Sequence, residues 1–175
     1  MYKALVAAVV GIALMTPLSD ARAQQDAQGC AAGPATMPPE LAGWSSRRPI
    51  VAASNASGLR AATLGIGSAA DAALKSTSEV SYVMRPEKPG GSVSYGCLFA
   101  FTVDQPGIYR VALGSGAWID VLRGKNVVAS TAHGHGPDCS GIRKMVDFPL
   151  TPGRYTLQIA ANGEPAVSLM IARLP

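Results

Sequence analysis

The chain has 175 residues, of which 48% are hydrophobic and 15% charged, with a formal charge of +4 and a mean hydropathy of +0.20. That length suits one domain with a proper core. Its Lys and Arg residues are scattered, with Arg47-Arg48 and Arg143-Lys144 the only adjacent pairs, which excludes the concentrated basic footprint of a nucleic-acid binder.

The first element is Met1-Tyr2-Lys3 followed by an apolar run over 4–15 and the small-residue site Ala21-Arg22-Ala23. This reads as a cleavable secretory signal over 1–23, its apolar run too short to span a bilayer. A retained anchor is the alternative, and Pro17 and the small residues at 21 and 23 argue for cleavage. Cys30 lies too far downstream of the apolar run for a lipid anchor. Without 1–23 the chain keeps 152 residues and a formal charge of +3, because Lys3, Arg22 and Asp20 leave with the signal. No later apolar stretch is long enough to cross a membrane, so no stable insertion is expected after cleavage. The protein is expected in the periplasm or secreted.

Residues 24–46 are rich in Ala, Gly, Pro and Gln without periodicity and read as an extended arm, with Trp44 as its anchor. From 47 to 175 short apolar alternations separated by turn signals predict an antiparallel β-sandwich of about eight or nine strands. The alternating sets are Val80, Tyr82, Met84; Cys97, Phe99, Phe101, Val103; Tyr109, Val111, Leu113; Ile119, Val121; Val127, Val128; Val146, Phe148, Leu150; Tyr155, Leu157, Ile159; and Val167, Leu169, Ile171. Period two implies one buried and one wet face per strand. The stretch 69–75 alone has helical potential. An internal echo links FTVDQPGIYRVAL at 101–113 to FPLTPGRYTLQI at 148–159. In both, a strand enters a Pro-Gly turn and leaves with Tyr at the second residue after Gly, Pro presetting φ and Gly supplying positive φ.

These Pro-Gly corners, with WIDVLRGKNVVAS at 118–130, resemble the bacterial pre-peptidase C-terminal (PPC-like) sandwiches and related jelly-roll carbohydrate-binding modules. The resemblance covers about 94–174 and implies a jelly-roll or PPC-like architecture, in modules that are usually non-catalytic attachments on secreted enzymes. GAWIDVLRG at 116–124 and HGHGPDCSGIRKMVDFPL at 133–150 also resemble a family of small exported bacterial proteins labelled homogentisate 1,2-dioxygenase. That label implies a cupin-like iron site of two His and one Glu, the Glu three or four residues past the second His with the intervening places counted. Cys139 and Ser140 stand there, and Asp138 is a step early.

The densest set of potential ligands is His133, His135, Asp138 and Cys139, in a loop between two predicted strands. His-x-His brings two imidazoles within reach of one ion, and a thiolate beside them favours copper or zinc. The alternative is an ordinary polar loop with Cys139 in a disulfide. Of the cysteines, Cys97 is in phase with the core side chains, which leaves Cys30 and Cys139 to form a bridge worth roughly 3–5 kcal/mol. Such a bridge would take the thiolate from a metal site. Trp118 and Asp120 share one strand face, suited to stacking a sugar ring or else packed under the arm.

No nucleophile–base pair, phosphate loop or selected carboxylate pair is evident, so catalysis is unsupported. The leading expectation is an exported non-enzymatic protein that binds or stabilises a carbohydrate or protein partner. A periplasmic copper- or zinc-binding protein is the alternative, and an oxygenase the third.

Overall fold

The computed structural model describes Cys30 and residues 36–175. The signal expected over 1–23 and the first part of the arm lie outside the described residues. A compact unit runs from Pro34 to Pro175. Among its described residues are eleven strands: β1 (Arg48–Val51), β2 (Ala69–Ala73), β3 (Lys75–Ser76), β4 (Tyr95–Val103), β5 (Gly107–Leu113), β6 (Trp118–Arg123), β7 (Asn126–Val127), β8 (Ala132–Gly134), β9 (Lys144–Leu150), β10 (Gly153–Asn162) and β11 (Ala166–Arg173). They form an all-β sandwich of a six-stranded sheet, ordered β1-β2-β11-β5-β9-β8, and a five-stranded sheet, ordered β3-β4-β10-β6-β7. Every pairing is antiparallel except β1 with β2.

The main core lies between the sheets and uses the alternating sets read from the sequence: Cys97, Phe99 and Phe101 from β4, Val111 and Leu113 from β5, Leu157 and Ile159 from β10, Leu169 and Ile171 from β11. The count exceeds the expected eight or nine because several strands, such as β3, β7 and β8, are only two or three residues long. Such strands carry too little periodicity to be read from sequence.

Two further expectations need correction. Residues 69–73 are strand β2, not helix, with Ala70 and Ala72 in the main core and Ala69 on the other face. The small side chains let the strand lie between β1 and β11, and tertiary pairing overrides the helical propensity of alanine. Residues 80–84 form no strand. The fully buried Gln158 of β10 takes the place of a neighbouring strand: its Oε1 accepts from the Val83 and Met84 N–H at 2.7 and 3.2 Å, and its Nε2 donates to the Met84 carbonyl at 3.0 Å. Tyr82 beside them donates to the Ile159 carbonyl at 3.3 Å and lies against Gly96, where any Cβ would collide with the phenol oxygen. Burial pushes the Tyr82 hydroxyl up to about 12.

The outer sheet faces are therefore not uniformly wet. Part of the expected arm is a 3-10 helix, Pro39–Ser45, that buries Leu41 and Trp44 in a second apolar cluster with Ala69, Ala112, Ile142, Met170 and Ala172. The Trp44 indole N–H donates to the Ser140 carbonyl at 2.9 Å, which anchors the helix as expected of this residue. Its neighbour Glu40 reaches Arg110 at 3.5 Å.

The echoed corners have a common chemistry. Tyr109 donates to the Gln105 carbonyl and Tyr155 to the Thr151 carbonyl, each four residues back and each at 2.8 Å. The two corners differ in backbone: Gly153 has φ +149 and Gly107 has no positive φ. Tyr155 also accepts from the Thr151 N–H at 3.1 Å. Tyr155→Phe is expected to cost about 1–3 kcal/mol and Tyr109→Phe about 1 kcal/mol in denaturant unfolding, because the first strands two backbone groups and the second one. The reverse order would show that the hydroxyls do not hold the corners.

Candidate functional site

Trp118 opens β6 in the five-stranded sheet, while His133 on β8 and Lys144 and Val146 on β9 belong to the six-stranded sheet. These side chains, with Lys88, Ile119 and Ser130, line a pocket of about 370 Å³. Its walls thus come from both sheets, at the edge where β7 and β8 terminate them. Ile119 and Val146 are buried in the main core, so the apolar part of the pocket is continuous with it.

The Trp118 ring is half-buried, and its indole N–H donates to Asp120 Oδ1 at 2.9 Å. Residues two apart on a strand share a face, so this bond ties the indole back to its own strand. Asp120 itself is 8% exposed and is not among the lining residues. Its carboxylate is engaged by the indole N–H. Burial raises its carboxyl above the ordinary aspartate range, and the Trp118 hydrogen bond opposes that rise.

With the folded value raised, folding disfavours the charged form. The corresponding stability is present below the unfolded pKa and is lost as pH rises through the folded one. Asp120→Asn keeps an acceptor for the indole and removes the charge. The variant is expected to be modestly more stable than the parent at neutral pH, with the difference vanishing near pH 3, below the ordinary aspartate value of about 3.9. Urea midpoints at the two pH values check this, and an Asn variant less stable at both would contradict it.

Two ammonium groups stand over the same ring. Lys88 Nζ is 5.2 Å and Lys144 Nζ 5.6 Å from the Trp118 centroid, within cation–π range. Lys144 also donates to the Ala117 carbonyl at 2.8 Å. Burial first, and then the charge of Lys88, push the Lys144 ammonium below its ordinary pKa.

The structure divides the His-x-His loop. His133 lies on β8, opposite Val146, and lines the Trp118 pocket. His135 follows the end of β8, and its Nδ1 meets the Arg143 carbonyl at 2.8 Å. A carbonyl only accepts, so Nδ1 carries the hydrogen. His135 lines a separate depression with Asp138, Cys139 and Arg143. Among the described residues no group of three or more His, Cys, Asp or Glu is placed to hold a metal ion. Cys139, with φ +58, and Cys30 are both disulfide-bonded, while Cys97 is a buried free thiol, its pKa raised by burial. A disulfide-bonded Cys139 has no thiolate to offer a metal. The disulfide is compatible with an extracellular or secreted protein. Among the described residues no helix is long and apolar enough to cross a membrane.

The residues that sequence reasoning missed are Lys88 and Lys144. Neither stands near Trp118 in sequence, and both arrive through tertiary structure.

The two packed sheets define the chain as an all-β sandwich. No protein-family model matches it, and no curated protein matches it. Among solved structures it is similar to the pre-peptidase C-terminal domain of a collagenase from Bacillus anthracis, with 15% identity and a TM-score of 0.37 over 71% of this chain and 95% of that one. The fold assignment rests on the sheets themselves.

Proposed function

We propose that this chain is an exported, non-enzymatic binding protein that takes a carbohydrate at the edge of its sandwich, with Trp118 as the stacking platform. The observation that carries this reading is an indole held in one orientation by Asp120 while it lines a pocket built from both sheets. A pre-oriented aromatic ring offers a large apolar face at little entropic cost on binding, and pockets with a few polar groups around such a face suit small ligands. Ser130 and His133 on the same walls supply hydrogen-bonding groups for sugar hydroxyls. In this reading Cys30 and Cys139 are bridged to one another, which a peptide map made without reduction would establish by linking their two peptides.

A glycan array probed with the parent protein and with Trp118→Ala tests the proposal. The parent should retain at least one glycan class and the variant should lose it by about tenfold or more. Trp44→Phe, which alters the other indole, serves as a control and should bind as the parent does. No retention by the parent, or equal retention by Trp118→Ala, would refute the reading.

A further inference from the structure

From the pair of ammonium groups that converge on the Trp118 pocket, we infer that its carbohydrate ligand is acidic, with a carboxylate or sulfate lodged between Lys88 and Lys144 and the sugar ring against the indole. This rests on the carbohydrate reading above and narrows its substrate class.

Lys88 and Lys144 approach one ring and line one pocket. Among the described residues neither forms a salt bridge. Two like charges gathered at one ring repel one another, and the partial burial of Lys144 adds to the cost of holding its charge there. Burial chiefly, and the charge of Lys88 in addition, depress the Lys144 ammonium. An indole face offsets only part of the cost, since cation–π attraction at exposed sites is about 0.5–1 kcal/mol.

No carboxylate among the described residues comes within salt-bridge distance of either ammonium. Asp120 accepts the indole N–H and does not line the pocket, and the charge it feels in addition is that of Glu87, another carboxylate. An anion that enters from solvent would meet two ammonium groups with unused N–H donors, because Lys144 spends one on the Ala117 carbonyl. Lys88 belongs to the exposed segment that covers the five-stranded sheet, so its long side chain can move from the ring face to the ring edge as a sugar stacks. Lys144 is tied at its tip and stays in place. The geometry therefore offers one fixed and one adjustable cation beside an aromatic platform. A neutral sugar would use the platform and leave both charges unpaired.

Isothermal titration of the full chain tests this, with an oligogalacturonate for the carboxylate arm, a sulfated oligosaccharide for the sulfate arm, and neutral oligosaccharides of matched linkage. At least one acidic ligand should bind about tenfold or more tightly than its neutral counterpart. That preference should fall when salt rises from about 0.01 M to about 0.1 M, which shortens the screening length from about 30 Å to about 10 Å. Lys88→Met and Lys144→Met should each reduce the preference, and Lys88→Glu should abolish it. Lys88 is exposed, so its variants test the pocket without disturbing the fold, and an unchanged melting temperature confirms this. Neutral and acidic ligands bound equally, or an acid preference untouched by the Lys88 variants, would overturn the inference and leave the carbohydrate reading standing. Binding of neither class would remove both.

Discussion

Replacing Arg110 by alanine is expected to lower the unfolding free energy by about 3–5 kcal/mol, the usual cost of breaking a buried ion pair from one side. Arg110 on β5 stands opposite Asp147 on β9, and its guanidinium makes a two-pronged contact, Nε to Oδ1 and Nη2 to Oδ2, both at 2.8 Å. Hydrogen bonding to Asp147 is the chief reason its pKa is raised. Glu40 on the 3-10 helix approaches the same group at 3.5 Å. One cation thus compensates two carboxylates, and Asp147 is only 6% exposed. Alanine would leave Asp147 buried without a counter-charge and loosen the helix that carries Leu41 and Trp44 onto the sheet. A chain of this size should lose about 6–20 °C in melting temperature. Arg110→Met combined with Asp147→Leu should recover much of the loss, since a well-packed apolar pair can replace a buried ionic one. A single-variant loss below about 1 kcal/mol would show that the pair is solvated in solution.

Gln158→Leu is expected to cost about 2–4 kcal/mol and to weaken ligand binding at a pocket Gln158 does not line. Leucine fills a similar volume and removes three hydrogen bonds at once, which strands the N–H groups of Val83 and Met84 and the Met84 carbonyl. Those groups pin the segment that carries Lys88 to the ring of Trp118. Released from β10, the segment would sample other positions and hold Lys88 there less of the time. Amide exchange should rise sharply at Val83 and Met84 and little in β4, whose amides pair with β10 backbone. Equal exchange at both places would indicate global destabilisation, and no change at Val83 would show that water replaces the side chain at no cost.

The long strands were legible because their buried positions recur at period two. Phe99, Phe101 and Val103 or Leu157 and Ile159 announce a core face without reference to any partner. The Pro-Gly-x-Tyr echo was legible for a related reason, since the Tyr hydroxyl closes its own corner within five residues. Residues 69–73 and 80–84 were misread because their conformation is decided from outside: one by strands on both sides, the other by a single glutamine 74 or 75 residues away. The site was half legible. Trp118 and Asp120 share a face as their spacing requires, but which of them meets the pocket depends on the hydrogen bond between them. His133 and His135 looked like one ligand pair because nothing local shows that β8 ends between them. The part Lys88 plays could not be read at all, for it depends on how a strandless segment folds back over β6 and β10.

The central claim is that ligand meets Trp118, and the chain's two indoles permit a direct measurement. Nitrogen–proton correlation spectra resolve one indole N–H signal from Trp44 and one from Trp118, assigned by Trp44→Phe. Titration with neutral and acidic oligosaccharides should move the Trp118 signal progressively and leave that of Trp44, which the 3-10 helix buries in the second apolar cluster and which is bonded to Ser140, in place. A Trp118 signal that does not move with any of them, or a shift confined to Trp44, would contradict the account.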